Sequence, residues 1–357
     1  MTDDSRNDTT EYFALLSGFT DLCQELIDNG QPYMVVVLAH ELFRFLYPME
    51  PYADVTHTKP VEFVTKHIRA LIELGAGVRE TVAPYEGAAL PLSRGVSGSS
   101  LPRATSDLYS LFWKEFDQET LVNESAALLK NRLPAGVIEE CIAGRSVLDL
   151  GCGSGRYCIA MASVGAGRVV GVDYQARSFH GASEWCKQQG LPVSFVASSV
   201  HELALGDNQF DFVFCNGVLH HTDSIERGLK QLVRVLRPSG RAFVYLYAAG
   251  GIFWQTRKAL RAVMSQIPIE YTQGVLRMIG MPSSRFIFCD TWYVPVETHT
   301  TTERLEKILG DVGAVFSKLV GNSPYDLDRA LADGISGARE MWGDGEHRYL
   351  LSKQEVA

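Results

Sequence analysis

The strongest constraint on this chain is a change of hydrophobic period at residue 145. From there short apolar runs at 146–150, 168–172, 193–197, 210–215 and 241–247 alternate with helical spacing over 155–164, 175–189 and 223–236. Strands joined through helices run parallel, because the crossover helix carries the chain back before the next strand begins. A parallel sheet is covered on both faces, and runs such as "RVVGV" and "FDFVFC" are apolar enough to be buried on both. After 248 the alternation lapses. A helix in "TTERLEKILGDVG", a strand in "AVFSKLVGN" and a last strand in "EHRYLLSKQ" follow, the two strands flanking a helical excursion at 325–342.

The rest of the chain divides around that alternation. Residues 11–90 read as helices, among them "PYMVVVLAHELFRFLYP", whose "MVVVL" could also pass for a strand. "LPLSRGVSGSSLPRATS" reads as a linker, and helix resumes up to Pro134. Three regions are therefore expected: a helical N-terminal region at 1–105, a core made of 106–248 and 301–357, and an insertion at 249–300. An elaboration at the carboxyl end of a sheet strand is where a substrate would be covered.

A formal charge of −9 argues against a general grip on phosphate backbones, so no nucleic-acid partner is expected. No apolar run is long enough for a transmembrane segment, and the opening "MTDDSRNDTTEYF" is not a secretory or transit signal, so a cytoplasmic location is expected. The seven cysteines are odd in number and contain no C-x-x-C, which predicts reduced, buried thiols and no metal site.

Within "SVLDLGCGSGR", a strand ends on Asp149 and opens into Gly151, Gly153 and Gly155. The turn could be ligand-free, or it could bind a dinucleotide through a G-x-G-x-x-G fingerprint. The glycines here follow G-x-G-x-G, with Arg156 next. Asp149 would also repel a pyrophosphate. A cation reverses the sign, and S-adenosylmethionine carries both a sulfonium and an α-ammonium. Asp173, closing "RVVGVD", stands where an acid can accept hydrogen bonds from ribose hydroxyls.

"VLDLGCGSGR", "VVGVDY", "DNQFDFVFCNGVLHHTD" and "LVRVLRPSGRAFVYLY", in this order, resemble the class I S-adenosylmethionine-dependent methyltransferases, in particular the ubiquinone and menaquinone biosynthesis group. The resemblance covers 145–248 strongly and 300–353 weakly. It implies an α/β, Rossmann-like seven-stranded mostly parallel sheet with its last strand antiparallel. It further implies that Asp149, Gly151, Gly153 and Gly155 line the methionine half of the cofactor, that Asp173 holds the ribose and that Tyr174 borders the adenine. Ser199 stands where the family commonly has an aspartate, so its adenine contact would be weaker. Asn216 would sit under the transferring methyl, with Val218 beside it.

Methyl transfer needs a base only when the acceptor is protonated at neutral pH. His220 and His221 are the candidates, His220 preferred because it directly follows the apolar "VL"; packing is the competing role for both. In the insertion, Arg257, Lys258, Arg261, Arg277 and Arg285 outnumber Glu270 and Asp290, which suits an anionic or lipid-like acceptor, or an ordinary solvated helix face. Trp254, Asp290, Trp292, Tyr293 and His299 are the candidate substrate contacts, with loop anchoring as the alternative. Tyr109 and Trp113 could close over the cofactor or simply pack. The N-terminal region is expected to cap the site, to form a homodimer, or both. The expected activity is methyl transfer to oxygen or nitrogen of a small organic acceptor. The alternatives are an RNA or protein methyltransferase and a non-catalytic regulatory protein that binds the same cofactor.

Overall fold

The inner strands are buried along almost their whole length, as contiguous apolar runs require. In the computed structural model, which describes residues 3–46, 59–81, 118–281, 285–321 and 326–354, seven strands form one sheet. They are β1 (Ser146–Leu150), β2 (Arg168–Asp173), β3 (Val193–Ala197), β4 (Phe210–Asn216), β5 (Leu236–Tyr247), β6 (Ala314–Lys318) and β7 (Glu346–Lys353). The spatial order is β3-β2-β1-β4-β5-β7-β6, with β7 antiparallel to both of its neighbours. The strand order reverses between β1 and β4, which opens a crevice at their carboxyl ends.

The helices of this unit are α4 (Gln118–Arg132), α5 (Arg156–Ser163), α6 (His180–Gln188), α7 (Ile225–Val235) and α11 (Thr302–Asp311). One sheet face buries Leu148, Leu150, Val170, Val172, Val213, Cys215, Val244 and Leu246 against Leu229 and Leu232 of α7 and Leu305 and Leu309 of α11. Alternation sends Asp149, Phe214, Asn216, Phe243, Tyr245 and Arg348 to the other face. There Phe214 stacks on Phe243 at 5.2 Å, and Tyr157 of α5 meets Phe214 at 5.0 Å.

A second unit is helical. It contains α1 (Asp3–Asp28), α2 (Pro32–Leu46), α3 (Pro60–Thr81), α8 (Gly251–Met264), α9 (Ile269–Met278), α10 (Arg285–Tyr293), α12 (Leu327–Ala332) and α13 (Ala338–Trp342). "MVVVL" is therefore helical, within α2. The Tyr12 hydroxyl of α1 bonds the Thr256 hydroxyl of α8 at 2.8 Å, and Phe288 of α10 packs on Phe43 of α2 at 5.3 Å.

This division differs from the sequence boundaries in two places. The stretch treated as one insertion at 249–300 splits between Val294 and Pro295, and 295–300 belongs with the sheet unit. Ala248 pairs with Thr300, and Ala248 O accepts from His299 Nδ1 at 2.6 Å. Helices α12 and α13, assigned to the core by sequence, belong instead to the helical unit. The cause is a backbone-to-backbone contact that only glycine permits. A Cβ on Gly251 would lie 2.3 Å from Gly343 N, and Asp344 N donates to Ala249 O at 2.9 Å.

Among the described residues no helix is long and apolar enough to cross a membrane. All seven cysteines are free and buried.

Candidate active site

The loop after β1 is shaped by what its glycines lack. Gly151, Gly153 and Gly155 have φ of +80°, +52° and +82°, a region that disfavours side chains. Gly151 N and Cys152 N both donate to Val172 O at 2.8 Å, which folds the loop back over β2. A Cβ on Gly151 would lie 2.3 Å from a Val218 methyl, so the loop and the segment after β4 meet in van der Waals contact.

Asp149 points from β1 into the base of this loop. It is only 3% exposed, and Cys158 Sγ donates to its Oδ2 at 3.3 Å. Burial pushes its carboxyl up to about 7; the Cys158 thiol and the charge of Arg156 oppose the rise, and the charge of Asp173 adds to it. Among the described residues no lysine, arginine or histidine forms an ion pair with it. A buried acid in this state is stabilised by an incoming cation and destabilised by an anion. Asp173 secures the loop directly, its Oδ2 accepting from Gly153 N at 2.9 Å.

Asn216 closes β4 with its Oδ1 buried and, among the described residues, without a hydrogen-bond partner. A buried acceptor of that kind usually answers to a ligand or a water. The predicted Asp149, Gly151, Gly153, Gly155, Asp173, Asn216 and Val218 thus converge at the tips of β1, β2 and β4. Tyr174 follows β2 and is 45% exposed. The Ser199 hydroxyl accepts from His201 N at 3.2 Å. His201 had no signal in the sequence; its ring sits between Asp223 (3.0 Å) and the Thr222 hydroxyl (3.2 Å).

The two histidines separate by their partners. His220 is fully buried, stacks on the Tyr247 ring at 3.7 Å, and accepts the Tyr247 backbone N–H on Nδ1 at 3.0 Å. The basic lone pair of its neutral ring is therefore engaged by backbone, which corrects the preference for His220 as base. His221 has the opposite arrangement: Nδ1 lies 2.9 Å from Val296 O, which can only accept. Nδ1 must carry the proton, so in the neutral ring the lone pair is on Nε2.

Trp254, Asp290, Trp292 and Tyr293 belong to the helical unit, whereas His299 belongs to the sheet unit, between Ala248 O and Glu297. Trp292 is fully buried against Phe288, and Trp254 is 4% exposed against Phe253. The Tyr293 hydroxyl bonds the Thr272 hydroxyl at 2.5 Å, and burial raises its pKa. Within the helical unit Trp254 and Trp292 are buried and Tyr293 is partly buried. Arg257 is 2% exposed and lies 5.3 Å from the Trp254 ring, so it is no part of a solvated basic face. Tyr109 and Trp113 lie outside the described residues.

Sequence reasoning missed a charged group on the sheet itself. The Tyr245 hydroxyl donates to Glu346 Oε1 at 2.6 Å, and Arg348 meets Glu346 Oε2 at 2.6 Å. Arg132, at the end of α4, lies 5.1 Å from the Tyr245 ring. "EHRYLL" reads as a strand, but nothing in it signals that Glu346 and Arg348 are buried.

Residues 148–244 match the family described as "Methyltransferase domain". A ubiquinone biosynthesis O-methyltransferase of Rickettsia felis is 29% identical, over 37% of this chain and 50% of its own length. A 27-O-demethylrifamycin SV methyltransferase of Amycolatopsis mediterranei is 27% identical, over 50% of this chain and 71% of its own. The chain spans about half the length of the first relatives it matches. Among solved structures, the 1,6-didemethyltoxoflavin-N1-methyltransferase of Burkholderia thailandensis is 18% identical with a TM-score of 0.43, over 71% of this chain and 88% of its own.

Proposed function

We propose, from the premise that the chain carries a class I S-adenosylmethionine-dependent methyltransferase domain, that the protein methylates an oxygen or nitrogen of a small organic acceptor. The observation that carries this reading is the buried Asp149 carboxyl at the tip of β1, raised to about 7 and with no close ion pair to a basic side chain among the described residues. The site fits the cofactor in three further respects. The glycine loop offers backbone at close range, Asp173 stands at the tip of the adjacent strand, and Asn216 Oδ1 is a buried acceptor awaiting a donor.

When bound, S-adenosylmethionine supplies a methyl group already activated by sulfonium. The residues of this chain are left with binding, orientation and proton handling. Asp149 favours the cationic end. Gly151 and Val218 set the distance between the loop and the β4 tip. Asn216 orients whatever donates to its buried oxygen. His221 is the proton acceptor for a phenol or ammonium, through Nε2, while Nδ1 holds the ring to Val296 O.

Incubating the protein with methyl-labelled S-adenosylmethionine and a panel of phenols, carboxylic acids and amines tests the reading. Transfer to a small molecule supports it. Transfer only to RNA or protein, or calorimetric binding of NAD in preference to S-adenosylhomocysteine, would remove it. His221→Asn keeps a donor near Val296 O and removes the lone pair. It is expected to lower kcat by about 100-fold and to flatten the acidic limb of the pH profile. His220→Asn is expected to alter stability more than that limb, and the reverse pattern would restore His220 as base.

A further inference from the structure

We propose that Arg132 and Arg348, with Tyr245 and Glu346, form a seat for a carboxylate on the methyl acceptor. This rests on the methyl-transfer reading above and adds a substrate class to it.

The first support is charge. Arg348 is 8% exposed and Glu346 is 7% exposed. Glu346 is fully engaged: one oxygen accepts from Tyr245 and the other from Arg348, each at 2.6 Å. Arg132 forms no close ion pair among the described residues, although the Glu346 charge acts on it; its guanidinium lies over the Tyr245 ring at 5.1 Å. Two guanidinium groups against one carboxylate leave a single positive charge. A charge withdrawn from water is costly unless an opposite charge meets it. One singly charged carboxylate would balance it, whereas a dianionic phosphate would leave an excess of negative charge.

The second support is unmet hydrogen bonding. Arg132 Nε and Arg348 Nε are both buried without an acceptor among the described residues. Nε is one tine of the fork by which arginine grips both oxygens of a carboxylate. Arg348 is held in place for that role by Glu346 on one side and by Gly321 on the other, where a Cβ would lie 1.7 Å from its Nη1.

The third support is position. Tyr245 is the cross-strand neighbour of Asn216 on one side and of Arg348 on the other. With strands about 4.8 Å apart, the seat begins one strand beyond Asn216 and lies on the side away from Asp173. On the reading above, a cofactor held at Asp149 and Asp173 would leave the ground next along the sheet for the acceptor.

The test uses the full chain saturated with S-adenosylhomocysteine and titrated calorimetrically with acetate, benzoate and neutral benzamide. Benzoate is expected to bind at least about tenfold more tightly than benzamide. Arg132→Met is expected to erase that preference, and Arg132→Lys to keep part of it, with S-adenosylhomocysteine affinity and the circular-dichroism melt unchanged. Equal binding of benzoate and benzamide to the wild type, or no binding of either carboxylate, overturns the seat without recourse to any variant. If Arg132→Met instead weakens S-adenosylhomocysteine and spares its decarboxylated analogue, the cofactor's own carboxylate is the occupant and the proposal falls. Should the wild type fail to bind S-adenosylhomocysteine, the methyl-transfer reading fails by itself, and the benzoate comparison on the unloaded chain still decides whether the seat exists.

Discussion

Asp149→Asn is expected to give a protein that folds more stably than the wild type and no longer holds S-adenosylmethionine. The folded carboxyl titrates at about 7, against an ordinary value of 3.8, chiefly because burial penalises its charged form. The sign follows from proton counting. Between those two values the folded state binds more protons than the unfolded state, so wild-type stability falls as pH rises from about 4 to about 7 and then levels off. The gap corresponds to roughly 4 kcal/mol at neutral pH and above, an upper figure that asparagine, which carries no charge, would relieve. Melting curves at pH 5 and pH 8 should show the variant gaining on the wild type at the higher pH. Calorimetry with S-adenosylmethionine should show the opposite, a loss of about 100-fold or more, because the buried carboxylate assigned to the cationic end is gone. Affinity of the wild type should climb as pH rises through 6 to 7, as the acid ionises. Parallel stability curves for the two proteins, or unchanged affinity, would remove Asp149 from the role given to it. A destabilising charge at a ligand site is what binding offsets.

The inner sheet was legible because burial on both faces writes itself as contiguous apolar runs, on which β1, β2, β4 and the second half of β5 fall. The tips of β1, β2 and β4 were legible for a different reason: backbone that must take positive φ selects glycine, and an acid beside it limits the charge of the ligand. What a side chain faces was not legible. "HH" gives two identical residues, and only the partners of their Nδ1 atoms, Tyr247 N–H for one and Val296 O for the other, separate their chemistry. Trp254 and Trp292 have the composition of a pocket and the burial of a core, and composition does not separate the two. The grouping of α12 and α13 with α8 depends on Gly251 and Gly343 meeting across some ninety residues, a pairing no local pattern announces. Arg132 and Arg348 come together across a still longer span, so a one-dimensional charge count misses the seat they form.

Gly151→Ala is expected to abolish cofactor binding while leaving the rest of the sheet folded. The added methyl would lie 2.3 and 2.5 Å from the two Val218 methyls, far inside contact distance, and the residue would still have to hold φ at +80°. A non-glycine residue there costs on the order of 1–2 kcal/mol before any overlap is counted. The loop therefore has to move, and the hydrogen bonds from Gly151 and Cys152 to Val172 O move with it. Displacement of the loop from Asn216 by about an ångström is enough to misplace a ligand held between them. The loss should exceed 100-fold in affinity for S-adenosylhomocysteine, measured by calorimetry. Val218→Ala alone should be mild, since it trims a partly buried side chain packed on a tolerant core edge. Combined with Gly151→Ala it opens the space that the new methyl needs, so the double variant should regain much of the lost affinity, short of the share owed to backbone strain. Additive losses in the double variant would mean that Val218 does not set the height of the loop, and the steric basis of the cradle would have to be abandoned.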